Sequence, residues 1–205
     1  MRLRYKLLIF AAILILLDQI LKIWIKTNMS LGEEFNVLGT WFRIHFTENN
    51  GMAWGMAADG GRFVKVLLTL FRIVAVGFIG WFIAKYIKKG ISVPLTIAGV
   101  LIFCGAVGNI IDSVFYGVLF SDSYYHVATF LPAGGGYAPL LQGKVVDMFY
   151  FPLISGNFPQ WLPFWGGEYF EFFRPIFNLA DSYITIGVAI LLIFYRQLEP
   201  KKESK

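Results

Sequence analysis

The chain has 205 residues, of which 57% are hydrophobic and only 15% are charged, so it is far more apolar than an ordinary soluble domain. This composition argues against a soluble globular protein and indicates one embedded in a membrane. The formal net charge is +5, but the basic residues lie mainly beside apolar runs. That pattern indicates membrane topology, and we expect no binding to nucleic acid.

The chain is poor in cysteine and histidine. Its single cysteine, Cys104, lies in an apolar stretch, which excludes an internal disulfide and a thiolate metal cluster and favours a role in helix packing. His45 and His126 are far apart and lack the spacing of a zinc site. We therefore expect neither a metal nor an organic cofactor.

Four segments are long and apolar enough to cross a membrane. A hydrocarbon core of about 30 Å needs about 20 mostly apolar residues per helix. The segments lie at about 6–26, 64–87, 94–116 and 176–196. No polar stretch is long enough to bury a core of its own. The sequence therefore predicts an all-α membrane protein in which residues 1–205 form a single four-helix domain.

The distribution of lysine and arginine predicts the orientation of these helices. Basic residues gather at the N-terminus, between the second and third helices, and at the C-terminal tail. We therefore expect both termini in the cytoplasm and the long connections, about 27–63 and 117–175, on the outer side. Within these connections the pattern predicts a small β and loop element, with a strand at Trp41–Phe46 and an aromatic interfacial segment at Phe149–Phe173.

Charged residues inside membrane helices are unusual, because each costs at least about 2.5–3.5 kcal/mol at mid-depth. Asp18 and Lys22 of the first helix are spaced i,i+4, so they lie on one face in the order that favours an ion pair. Such a pair either holds the helix bundle together or supports a functional site. The spacing alone leaves both interpretations open.

Three aspartates are predicted to lie at the outer face of the membrane. Asp112 follows Asn109 on a helix whose glycines allow close approach of a neighbour. Asp181 lies in the first turns of the last helix, where the helix N-terminus stabilises a negative charge. Asp147 lies among apolar residues of an outer segment, where burial would raise its pKa. A lone acidic pair could lock two helices, whereas three acids suggest chemistry.

Two close carboxylates that share one proton can hydrolyse a peptide bond without a metal or a nucleophile. One accepts a proton from water, and the other donates a proton to the amide. Because the two charges repel each other, the pair titrates as a unit. The sequence does not reveal which aspartate carries the proton.

Two other classes of function also fit part of the pattern. A small proton-coupled transporter would use intramembrane residues such as Asp18, Lys22, Asp112 and Asp181 as a relay, but the second helix offers mainly Arg72. A noncatalytic assembly subunit would use the glycine-rich face of the third helix as a contact. That second alternative leaves Asp147 and Asp181 without an explanation.

Five short motifs occur in order along the chain. They are Asp18-Gln19 with Lys22, NNGMAWG from Asn49, GNIID ending at Asp112, VVDMF around Asp147, and FNLAD ending at Asp181. Together they resemble the motifs of the lipoprotein signal peptidase family, also called signal peptidase II, and the likeness spans all four helices. Two departures stand out: Ser113 occupies a position where the family usually has arginine, and the stretches 119–143 and 150–174 are longer than usual.

The resemblance implies an aspartic endopeptidase that removes the signal peptide from diacylglyceryl-modified prolipoproteins by cleaving before the lipidated cysteine. It implies that the catalytic pair is Asp147 and Asp181. It also implies a set of residues that line or brace the site, namely Asp18, Lys22, Asn49, Gly51, Asn109, Asp112 and Asn178.

The same resemblance implies the setting in which the protein works. The expected partners are lipid-modified prolipoproteins, membrane lipids and globomycin-like inhibitors. The expected location is the bacterial inner membrane, which the chain crosses several times, with the active site facing the periplasm or the outside. We expect a monomer.

Overall fold

The computed structural model describes residues 3–50, 61–172 and 174–198. Helices long and apolar enough to cross a membrane lie at Tyr5–Asn28, Gly61–Lys88, Val93–Leu119 and Leu179–Gln197. Each predicted span corresponds to one of these helices. The prediction of four transmembrane helices is therefore confirmed.

In its middle and last turns, the first helix, α1 (Leu3–Asn28), buries charged residues and exposes many of its apolar ones. Asp18 and Lys22 are buried, whereas Leu16 and Ile20 are more than half exposed. A bilayer requires this inverted arrangement, because the outer surface of the bundle contacts lipid and a charge is tolerated only inside it.

The second and third helices, α2 (Gly61–Lys88) and α3 (Val93–Ile111), are joined by a short turn. After Ile111 the chain continues through a π-helical turn, Asp112–Tyr116, and a last α-helical turn, Gly117–Leu119. The helical segment therefore runs past its predicted end at residue 116. A π-helical turn often marks a functional site, and this one begins at a predicted site residue.

A four-stranded antiparallel sheet packs against the last turns of α1 and α3. Its spatial order is β1 (Glu34–Leu38), β2 (Phe42–Asn49), β3 (Val145–Tyr150) and β6 (Ile176–Phe177). The predicted small β element is thus larger than the single strand expected, and an all-α description is incomplete. Strand β3 was missed because its first four residues are all buried, which removes the polar alternation that identifies a strand.

The last membrane helix, α4 (Leu179–Phe194), begins later than predicted. The expected start at residue 176 was wrong, because β6 occupies residues 176–177 and pairs with β3. Asn178 then caps α4: its side chain accepts a hydrogen bond from the Asp181 backbone, and the Asp181 side chain accepts one from the Asn178 backbone. This capping box satisfies N–H groups that the first turn leaves free.

A separate hairpin of β4 (Ile154–Asn157) and β5 (Tyr169–Phe172) forms within the predicted aromatic segment. Trp161 and Trp165 are exposed between its strands. Phe170 instead stacks on Phe158, with ring centroids 4.6 Å apart. The hairpin therefore combines an internal aromatic contact with an exposed aromatic tip, a composition suited to a membrane interface.

Two apolar clusters stabilise the two halves of the molecule. One lies between the sheet and the helices and includes Ile25 and Phe46. The other lies among the helices and includes Leu14 and Cys104, which agrees with the packing role expected for that cysteine. Along α1, the buried residues Asp18 and Lys22 lie between Leu14 of one cluster and Ile25 of the other.

Glycines let α3 approach its neighbours closely, as predicted. A Cβ added at Gly105 would lie 2.3 Å from the backbone oxygen of Ala180, and one added at Gly108 would lie 2.6 Å from Asp18 Oδ2. Both distances are far below contact distance, so α3 needs glycine at both positions.

We expect Gly105→Ala to destabilise the protein by about 1–3 kcal/mol, the usual cost of overpacking. The added methyl group would push α3 away from the Ala180 backbone. Gly77→Ala in α2 is the matched control, since nothing lies within 4 Å of its added Cβ. Thermal unfolding in detergent measures both variants, and equal midpoints would contradict the close-packing argument.

Candidate active site

Asp147 lies on β3 and is held from two sides. Asn49 Nδ2 donates a hydrogen bond to Asp147 Oδ2 at 3.1 Å, and Asn178 Nδ2 donates one to Oδ1 at 2.7 Å. The Asp147 residue is only 2% exposed. Its carboxyl group is therefore buried and oriented by two amides, one from the sheet and one from the start of α4.

Asp181 lies in the first turn of α4. Its Oδ2 accepts the backbone N–H of Asn178 at 3.3 Å, and its Oδ1 accepts a hydrogen bond from Asn109 Nδ2 at 2.8 Å. The helix N-terminus adds a favourable field for a negative charge. Arg72 of α2 also interacts electrostatically with this carboxylate.

Asn178 joins the two aspartates. Its Nδ2 donates to Asp147 Oδ1 and also to Asn109 Oδ1 at 3.0 Å, while its Oδ1 accepts the backbone N–H of Asp181 at 2.9 Å. The side chain is fully buried. One amide therefore bonds to the Asp147 carboxylate and to the backbone of Asp181, which brings these distant residues into one site.

Lys22 stands at the centre of a buried ion cluster. Its Nζ lies 3.0 Å from Asp18 Oδ2 and 2.8 Å from Asp112 Oδ2, and it donates to Asn109 Oδ1 at 2.8 Å. All three N–H groups of the ammonium thus have an acceptor. The cluster joins α1 to α3 and also contacts Asn109 of the candidate site. Both interpretations of the i,i+4 pair, as a structural pair and as a support for a site, therefore fit the structure.

The two acids that bind Lys22 also accept hydrogen bonds from backbone groups next to Asp147 and Asp181. Asp18 Oδ1 accepts the N–H of Ala180 at 3.0 Å, one residue before Asp181. Asp112 Oδ2 accepts the N–H of Val146 at 3.3 Å, one residue before Asp147. Lys22 is therefore the charged partner of Asp112 in this chain, in which Ser113 replaces the arginine that the family usually has.

Some residues in contact with the site were not predicted. Gln19 Nε2 donates to Asp18, Asp112 and the Gly108 carbonyl, and the Tyr116 hydroxyl donates to Gln19 Oε1. The available signal for Gln19 was its polar side chain next to Asp18 in an otherwise apolar span. Of the predicted site residues, Gly51 lies outside the described part of the chain.

The surroundings of Asp147 raise its pKa to about 7. Burial is the largest cause, and the negative charge of Asp181 adds to it. The hydrogen bonds from Asn49 and Asn178 act in the opposite direction. Near neutral pH this carboxyl group is therefore partly protonated and able to donate a proton.

The chain is similar to known proteins over nearly its whole length. A family model described as Signal peptidase (SPase) II matches residues 10–196. The chain belongs to the signal peptidase II family. The expectation drawn from the five motifs is thereby confirmed.

Relatives from several bacteria carry the name lipoprotein signal peptidase. The protein of Porphyromonas gingivalis is 51% identical over 191 residues, which are 91% of this chain and 82% of that protein. The protein of Amoebophilus asiaticus is 38% identical over 89% of this chain and 74% of its own length. The likeness therefore covers the helices and the connections together.

Two solved structures of bacterial membrane enzymes, determined by the in meso method, share the fold. One is 25% identical with a TM-score of 0.59, and the match covers 98% of this chain and 93% of the other. The second is 26% identical with a TM-score of 0.57, covering 93% and 92%. The fold is therefore one that membrane enzymes use.

Family membership defines the activity in general terms. The chain is a multi-pass membrane protease that removes signal peptides from prolipoproteins. A proton-coupled transporter is not favoured, because the family and the relatives are peptidases. The same finding argues against a noncatalytic assembly subunit.

The raised pKa of Asp147 makes stability depend on pH. Between its ordinary pKa of 3.8 and about 7, this carboxyl binds a proton more tightly in the folded chain than in the unfolded one. The free energy of unfolding should therefore fall as pH rises from about 4 to 7, by up to about 1.4 kcal/mol per pH unit.

Asp147→Asn removes this titration. We expect the Tm of the wild type, measured in detergent from about pH 4 to 8, to fall relative to that of the variant until about pH 7. Two parallel curves would show that Asp147 has an ordinary pKa.

Proposed function

We propose that this protein is an aspartic endopeptidase in which Asp147 and Asp181 form the catalytic pair and cleave before a lipidated cysteine. The single observation that carries the proposal is the Asn178 bridge between the two residues. It supports a shared site because the same buried residue donates to the Asp147 carboxyl from its side-chain amide and to the Asp181 carboxyl from its backbone N–H. A pair of this kind supplies an acid and a base together.

In the proposed reaction, Asp181 accepts a proton from water while the water oxygen attacks the scissile carbonyl carbon. Asp147, which is partly protonated near neutral pH, gives its proton to the carbonyl oxygen, and a gem-diol forms. The proton on Asp181 then passes to the leaving nitrogen as the C–N bond breaks. Asp147 recovers a proton from the diol, so both groups return to their starting states.

The other predicted site residues position this pair. Asn49 and Asn178 orient Asp147, and Asn109 orients Asp181. Asp18, Lys22 and Asp112 brace the elements that carry them. We retain Gly51 as a site residue on the strength of its motif alone. No group in this scheme requires a metal or an organic cofactor.

The substrate is proposed to enter sideways from the bilayer, with its lipid held between apolar helices. Exposed apolar residues on the helices support this route, since they give a lipid chain continuous contact. The distribution of Lys and Arg favours both termini in the cytoplasm and a site facing the periplasm or outside. The family resemblance supports the bacterial inner membrane, and the lack of a long polar stretch in the sequence supports a single domain. A monomer sensitive to globomycin-like inhibitors completes the proposal.

The catalytic pair is tested with a synthetic diacylated prolipoprotein and purified protein in detergent. We expect Asp147→Asn and Asp181→Asn each to lower the cleavage rate by at least about 10²-fold, because each removes a proton-transfer group. EDTA should leave wild-type cleavage unchanged. Asp122→Asn is the matched control, since Asp122 lies exposed in an outer connection. Folded variants that still cleave would rule out the pair.

The pH dependence of kcat/KM tests the assignment of the proton. Because Asp147 must be protonated and its pKa is about 7, kcat/KM should fall as pH rises through about 7. It should also fall at low pH, when the pair as a unit holds two protons. A plateau that extends well above pH 7 would contradict the role of Asp147 as proton donor.

A further inference from the structure

A second buried charged cluster lies beyond the residues that the motifs predict. It consists of Lys26 on α1, Glu48 on β2, and Ser123 and Lys144 from the segment between α3 and β3. Lys26 and Ser123 are fully buried, and the Glu48 side chain is only 2% exposed. We refer to these residues as the Glu48 cluster.

Both oxygens of the Glu48 carboxylate are paired. Lys26 Nζ donates to Oε1, and Lys144 Nζ donates to Oε2 at 3.1 Å. Lys26 also donates to Ser123 Oγ at 2.9 Å. The cluster therefore ties α1 and β2 to the long segment before β3.

Aromatic rings surround the two ammonium groups. Lys26 Nζ lies 5.6 Å from the ring centroid of Phe120 and 5.0 Å from that of Tyr137. Lys144 Nζ lies 5.7 Å from the same Tyr137 ring. Cation–π attraction and the exclusion of water both strengthen the ion pairs here. The Glu48 cluster is thus a buried, water-excluded ion pair network, unlike an ion pair on the surface.

The Glu48 cluster lies directly beside the proposed catalytic residue Asp147. Glu48 precedes Asn49, whose side chain holds Asp147 Oδ2. In the sheet, Glu48 stands opposite Val146, which precedes Asp147. Any shift of Glu48 would therefore move both a hydrogen-bond partner of Asp147 and the strand that carries it.

One face of α1 contacts both halves of the site. Asp18 and Lys26 lie eight residues apart, close to two full turns of helix. Asp18 holds the backbone of Ala180, which precedes Asp181. Lys26 holds Glu48 on the sheet. The single helix α1 thus sets the distance between α4, which carries Asp181, and the sheet, which carries Asp147.

We propose that Glu48 and Lys26 are positioning residues that set the place of Asp147 relative to Asp181 through α1. This inference rests on the proposed catalytic pair and adds to it a device outside the family motifs quoted above. It assigns a role to the long segment before β3, since Ser123 and Lys144 complete the cluster.

The test is Glu48→Gln, which keeps the size of the side chain and removes its charge. We expect kcat to fall about 10- to 100-fold with KM changed less than about threefold, because a displacement near 1 Å is costly for chemistry but not for binding. Glu34→Gln is the matched control. Glu34 lies on the same sheet and pairs with Arg43 and His45, but its side chain is 40% exposed. Its kcat should remain that of the wild type.

A second readout does not depend on cleavage. Infrared difference spectra recorded over a pH series show the band of a protonated carboxyl group. The band that is lost in Asp147→Asn belongs to Asp147, and its pH dependence gives the titration midpoint of that residue. In Glu48→Gln this midpoint should shift away from about 7, because a displaced strand changes both the burial of the carboxyl and its hydrogen bond from Asn49. In Glu34→Gln it should stay in place. A merely stabilising role for Glu48 would lower Tm and leave the midpoint unchanged.

The outcomes separate this inference from the proposed function. If Asp147→Asn still cleaves, the catalytic pair is wrong, and the infrared midpoint alone decides whether Glu48 positions Asp147. If Glu48→Gln does not fold, the double variant Lys26→Met, Glu48→Met replaces it. Removing both charges avoids a buried Lys26 or Glu48 without its partner. A folded variant with wild-type kcat and an unchanged midpoint overturns the inference.

Discussion

The structure depends on the burial of one ammonium group, that of Lys22, within the membrane bundle. A lone charge there would be too costly to keep. Lys22 is compensated by Asp18, Asp112 and Asn109, each within 3.0 Å. Because these partners lie on α1, on α3 and in the π-helical turn that follows α3, satisfying the charge fixes the two helical segments against each other. Glycines of α3 then allow α4 to approach as well.

The acids around Lys22 do more than neutralise it. Each uses a further oxygen contact to accept a backbone N–H: Asp18 from Ala180, and Asp112 from Val146. Those two residues precede Asp181 and Asp147. The ion cluster is thus connected by a single hydrogen bond to the residue before each proposed catalytic position. One turn further along α1, Lys26 of the Glu48 cluster likewise pairs with a carboxylate, and this pair connects α1 to the sheet.

Much of the fold could be predicted from the sequence, because in a membrane apolar length identifies a helix. The start of α4 could not, since Asn178 was read as a helical residue although it is the cap that follows β6. Strand β3 lacked alternation, so Asp147 could be placed only in an outer segment. Lys26 and Glu48 carried no visible signal, because each finds its partner far along the chain.

By itself, the sequence determined the four spans, the motif order and the identity of the acids, since these depend on local composition and spacing. Only the tertiary structure decided which groups surround each acid. Asp112 and Asp147 look equivalent as buried carboxyl groups in the sequence, yet Lys22 neutralises the first, whereas amides and the charge of Asp181 surround the second. The reason is physical: the protonation of a buried carboxyl is set by the charges and donors within a few ångströms of it, and these come from other elements of the fold.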